Sequence, residues 1–85
     1  MVITTAKYVI PIGQGGWFQD SALANVGVLR VIREGLGYNK VSDGFSATDP
    51  VNREYCYLAA DGKVYFSDVN IAQKEPQNVF VIYKN

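Results

Sequence analysis

Asp20-Ser21-Ala22-Leu23-Ala24-Asn25-Val26-Gly27-Val28-Leu29-Arg30-Val31-Ile32-Arg33-Glu34-Gly35 is the stretch on which the fold turns. As a helix over residues 22–34 it has Asp20 or Ser21 to cap its start and Gly35 or Gly37 to end it. Arg30 and Arg33 then lie toward the C-terminal end, where cations offset the helix dipole. At 100° per residue, Ala24, Val28, Leu29, Val31, Ile32 and Leu36 gather on one side, and Arg30, Arg33 and Glu34 on the other. Gly27 in the middle and the β-branched Val26, Val28, Val31 and Ile32 would also suit a strand. Caps and length decide for the helix. Asn25 falls inside its apolar arc, which makes it either a satisfied buried polar group or a sign that the helical phase is wrong.

Upstream, Lys7 to Ile12 alternates as a strand, with Tyr8, Ile10 and Ile12 on one face. Pro11 has no N–H for a ladder, so this strand lies at an edge or stops pairing there. Gly13-Gln14-Gly15-Gly16 follows as a loop that carries Trp17 and Phe18. Downstream, residues 35–53 are too many for a simple connector and contain the turn signals Asp43-Gly44 and Asp49-Pro50. They read either as a small hairpin, Lys40 to Ser42 facing Phe45 to Ala47, or as a binding loop.

Arg53 to Val69 holds two strand-like runs around Asp61-Gly62. A two-residue loop would scatter the aromatics over both faces. A three-residue loop with Gly62 left-handed pairs Ala59 with Lys63 and sorts the side chains: Cys56, Leu58, Val64 and Phe66 one way, Tyr55, Tyr57, Lys63, Tyr65 and Ser67 the other. The second register is the consistent one. Asn70 starts a helical turn that Pro76 stops. The last strand, Asn78 to Lys84, is apolar on both faces and should be covered on both. The gap before it is too short for a parallel crossover, so antiparallel pairing with the preceding strand is expected. The fold class expected from these elements is α+β: one helix packed on a mostly antiparallel sheet of about four strands, in the order β-α-β-β-β, a single domain over residues 1–85.

Composition narrows the function. The chain has no histidine, one cysteine, and equal numbers of acidic and basic residues, 8 each. Histidine bases, His/Cys metal sites and intrachain disulfides are therefore excluded, and no cofactor is expected. No net positive field draws nucleic acid. No apolar run is long enough for a signal peptide or membrane span, and the free Cys56 fits a cytoplasmic setting. With 48% hydrophobic residues the chain is globular, and its near-zero charge favours association.

Candidate sites follow from the remaining residue types. The glycine run has the order of a phosphate-cradling loop but neither motif's spacing, and no lysine follows it. It reads as a flexible turn. Trp17 and Phe18 are either a lid on the core or a hot spot for a partner. Tyr55, Tyr57 and Tyr65 share one sheet face, which suits an ordinary exposed face, a homo-oligomer interface or a platform for a ligand or partner. Glu54 and Asp68 lie opposite each other in the chosen register as a candidate carboxylate pair or two solvated strand ends. Cys56, without a histidine to activate it, reads as a buried apolar residue. The expected function is a small non-enzymatic binding or assembly module acting on itself or another protein through Trp17, Phe18, Tyr55, Tyr57 and Tyr65. The alternative is a small-molecule-binding domain or histidine-free enzyme with a pocket near Trp17 and Phe18.

Overall fold

The computed structural model describes residues 2–35, 41–48, 56–66 and 75–85. Two antiparallel sheets make up the fold. The strands are β1 (Ile3–Ile10), β2 (Trp17–Gln19), β3 (Gly27–Gly35), β4 (Val41–Asp43), β5 (Tyr57–Leu58), β6 (Lys63–Tyr65) and β7 (Gln77–Lys84). One sheet has the order β1-β7-β3-β4 and the other β2-β6-β5.

The expected helix is absent, and with it the α+β class. Residues 22–34 divide into a single 3-10 turn, Ser21–Asn25, and the strand β3. The cap is as the sequence suggests: the Asp20 side chain accepts from the Ala22 N–H at 3.0 Å. One turn buries Leu23 and leaves Asn25 exposed, and at Val26 the backbone is already extended, φ −125° and ψ 161°. Propagation fails because a single turn gains little for the dihedrals it fixes, and Asn25, Val26 and Gly27 are poor helix formers.

A β-bulge explains why β3 looked helical. The register with β7 shifts between Val28 and Arg30: Val28 pairs with Tyr83 and Arg30 with Ile82. The extra residue is Leu29, which is left 47% exposed. Val28 and Val31, three apart, therefore both face the core, a helix-like spacing produced inside a strand. Arg33, assigned by the helical reading to the polar side, is buried, its guanidinium carbon 5.2 Å from the centre of the Phe66 ring.

Strand β7 is central rather than a partner of β6. It pairs with β1 over eight residues, Ile3 with Lys84 through Ile10 with Gln77, and with β3 on its other side. A long strand with apolar residues on both faces takes the place where two long neighbours can satisfy its backbone. Val79 and Val81 are fully buried, whereas Phe80 and Ile82, on the other face, are half-buried. Strand β1 begins at Ile3 instead of Lys7, lies at the sheet edge and ends before Pro11.

The chain changes sheets at Gly44. β4 pairs with β3, not with Phe45 to Ala47, and the Gly44 N–H reaches the Val31 carbonyl at 2.9 Å. Two residues on, Ser46 bridges Tyr57 in the other sheet. Between the sheets lies one cluster: Ile10, Phe18, Leu23, Val31, Cys56, Val64, Phe66, Val79 and Val81. Full burial of such an aliphatic or aromatic side chain contributes about 1.5–3 kcal/mol, which supplies the driving force that the expected helix over residues 22–34 does not.

Candidate functional site

Asp61, Gly62 and Lys63 set the geometry of the smaller sheet. The Asp61 side chain accepts from the Lys63 N–H at 3.1 Å, the Gly62 N–H donates to the Ala59 carbonyl at 3.0 Å, and the Ala59 N–H donates to the Lys63 carbonyl at 2.8 Å. Gly62 has φ +87°, and a Cβ there would lie 2.1 Å from the Asp20 carbonyl oxygen. The turn is thus the three-residue type that the side-chain pattern selects. Tyr57 stands opposite Tyr65 and Leu58 opposite Val64.

Strand β2 adds Trp17 to that row. Trp17 pairs with Tyr65, Phe18 with Val64 and Gln19 with Lys63. Upstream, the Gln14 N–H bonds the Pro11 carbonyl at 3.2 Å, the Trp17 N–H bonds the Gly15 carbonyl at 3.0 Å, and the Phe66 N–H holds the Gly16 carbonyl at 2.6 Å. The Gln14 side-chain amide donates to the Trp17 carbonyl. These bonds end the glycine loop at the sheet, so Trp17 and Phe18 belong to a strand and not to a loop.

Alternation then separates the two aromatics. Phe18 points into the core, buried, and stacks on Tyr8 with ring centroids 4.5 Å apart. Trp17 is 38% exposed on the opposite face. The two side chains therefore face opposite sides of β2 and do not line one cavity together. Trp17, Tyr65 and Tyr57 instead form a row across three strands. Tyr57 and Tyr65 stack with centroids 6.2 Å apart and planes at 25°. The Lys63 ammonium sits 4.6 Å from the Trp17 ring centre and 4.7 Å from that of Tyr65. Each such contact stabilises by about 0.5–1 kcal/mol at an exposed site. Gln19 flanks the row, its side-chain amide donating to Asp61 at 3.3 Å.

Beneath β2 a polar pair anchors the row to the larger sheet. The Tyr8 hydroxyl donates to Asp20 at 2.7 Å. That bond, followed by the one from the Ala22 N–H, holds the Asp20 carboxyl below its ordinary range. Burial, and then the same bond to Asp20, pushes the Tyr8 phenol above its usual value. Cys56 is buried, its thiol 3.4 Å from the Gly44 carbonyl oxygen, and burial pushes its pKa up to about 12 against a smaller opposing effect of Arg33. A thiol in that state is no nucleophile.

Of the residues singled out from the sequence, Trp17, Tyr57 and Tyr65 are brought together, and Phe18 lies on the other side of the same strand. Tyr55, Glu54 and Asp68 lie outside the described residues. Lys63 shares the tyrosine face in the register read from the sequence, and its place between two rings depends on Trp17, which that reading put in a loop. Gln19 is absent from that reading, although a period of two through Trp17, Phe18 and Gln19 places it on the same face. Chemically, the face offers stacking area, phenolic hydroxyls and one ammonium held between two rings. Among the described residues no group of three or more His, Cys, Asp or Glu is placed to hold a metal ion, and no helix is long and apolar enough to cross a membrane. No protein-family model, no curated protein and no solved structure matches the chain.

Proposed function

We propose that this chain is a non-enzymatic binding module whose contact surface is the outer face of the smaller sheet, with a protein as its partner. One observation carries the reading: Trp17 and Tyr65, 38% and 39% exposed, stand in a cross-strand row with Tyr57 around the Lys63 ammonium. Rigid aromatics that stay wet in the free chain are the residue types on which protein contacts concentrate their energy. Lys63, already placed by two rings, presents its ammonium to a partner's carboxylate or carbonyl without ordering a long side chain first.

The test uses Trp17, the only tryptophan. A partner recovered by cross-linking from the native host is titrated against the pure chain. Occupation of this face shifts Trp17 emission, and Trp17→Ala or Tyr65→Ser weakens binding by about 2 kcal/mol or more, the scale of an interface hot spot. Leu29→Ser, on the larger sheet, leaves it unchanged. Binding indifferent to both aromatic substitutions, in folded variants, refutes the assignment.

A further inference from the structure

Strand β1 is bonded along one side only. Val2 and Asn85 exchange both backbone hydrogen bonds, the Val2 N–H to the Asn85 carbonyl at 3.3 Å and the reverse at 3.1 Å. Bonded pairs alternate along an antiparallel ladder. With the observed register, Thr4, Ala6, Tyr8 and Ile10 therefore bond to β7, while Ile3, Thr5, Lys7 and Val9 turn their N–H and C=O groups away from it. All four are exposed, and among the described residues nothing bonds to these outward groups. The ladder is unbroken by any bulge over its eight pairs. Pro11, the next residue of the outward set, has no N–H and closes the edge at that end.

We propose that this edge pairs, antiparallel about a two-fold axis at Ala6, with the same edge of a second copy, joining two four-stranded sheets into one continuous sheet. The register follows from the residues. Centring on Ala6 uses all four outward residues of each copy: Ile3 opposite Val9 of the second copy, Thr5 opposite its Lys7, and the reverse. It covers the two most exposed apolar side chains of the strand, Ile3 at 60% and Val9 at 50%, with each other. A shift toward the C-terminal end would set Lys7 against its own copy, a repulsive pair. A shift the other way leaves Val9 unpaired. At the axis stands Ala6, whose small side chain allows the close approach of a non-bonded pair, about 4.5 Å between Cα atoms. One edge buries less than a standard interface, so the dimer is weak and concentration-dependent. It involves none of the aromatic row and stands independently of the function proposed above.

Sedimentation and light scattering from about 1 μM to about 1 mM give the first readout: a shift from the 9.4 kDa chain toward twice that mass. Thr5→Pro removes an outward N–H and no bond to β7, so it abolishes the dimer while the far-UV spectrum stays native. Ile3→Lys with Val9→Lys also abolishes it, whereas Ile3→Glu with Val9→Lys preserves it by opposing charges at both ends. Ala6→Cys forms an intermolecular disulfide under mild oxidation because the two sulfurs meet at the axis, and Thr4→Cys does not. A wild-type chain that stays monomeric throughout this range overturns the proposal and leaves Lys7 as a charge that blocks edge pairing. An oligomer that survives Thr5→Pro, with no cross-link through Ala6→Cys, overturns it as well.

Discussion

Gly62 is where the hairpin turn of the smaller sheet touches the start of the 3-10 turn, and two separate demands meet at its α-carbon. Its φ of +87° is one that L-residues adopt at a cost, and an added methyl would meet the Asp20 carbonyl at 2.1 Å. Gly13 has the same φ with nothing within 4 Å. Alanine at position 13 therefore costs only the conformational penalty, about 1–2 kcal/mol. Alanine at position 62 costs about 3 kcal/mol or more, because backbone must move as well. Urea unfolding of the two variants checks the difference, and equal losses would mean that the contact with Asp20 is unimportant. Asp20 itself links stability to pH. Its carboxyl is held below the ordinary carboxylate range by the Tyr8 hydroxyl and then the Ala22 N–H, so its contribution is complete above the unfolded carboxyl's pKa and is lost as pH falls through the lower folded one. Tyr8→Phe flattens the acid limb of the stability profile, measured by thermal unfolding between pH 2 and pH 6. An unchanged limb would assign it to other carboxylates.

The elements show what could be read from the amino acids alone. The β5–β6 hairpin was legible because Asp61-Gly62 fixes a turn and the alternation of Cys56, Leu58, Val64 and Phe66 against Tyr57, Lys63 and Tyr65 admits one consistent register. The edge position of β1 was legible from Pro11. Strand β3 was not, because its bulge replaces an alternation of two with a spacing of three at Val28 and Val31, the interval that a helix also produces. The cap and the β-branched residues belong to successive elements, a turn and a strand. The partner of β7 was hidden for another reason: pairing of distant segments depends on the whole set of strand lengths, which no local pattern carries. Trp17 and Phe18 read as a pair in a loop, lid or hot spot together, because their strand is only three residues long. Two substitutions separate the helical from the extended reading. Val31→Ala loses about 2 kcal/mol of stability, while Leu29→Ser stays within about 0.5 kcal/mol. A helix over residues 22–34 would have made both costly.

At the scale of the whole molecule, the core between the sheets is sealed enough to make Cys56 a reporter of its opening. The side chain is fully buried and its thiol is raised to about 12, so alkylation at pH 8 requires exposure first. Labelling of Cys56 should proceed at the rate set by the global unfolding equilibrium and accelerate in parallel with every destabilising substitution. Labelling much faster than that equilibrium allows would reveal a local route to the core. The ladder between Val2 and Asn85 has a mechanical consequence. Because β1 and β7 run antiparallel and these two residues are bonded to each other, a load applied between them falls on a single pair of hydrogen bonds at a time. The strands peel like a zipper instead of shearing along their length, so a molecule stretched from these two points yields at low force, whatever its resistance to heat or urea.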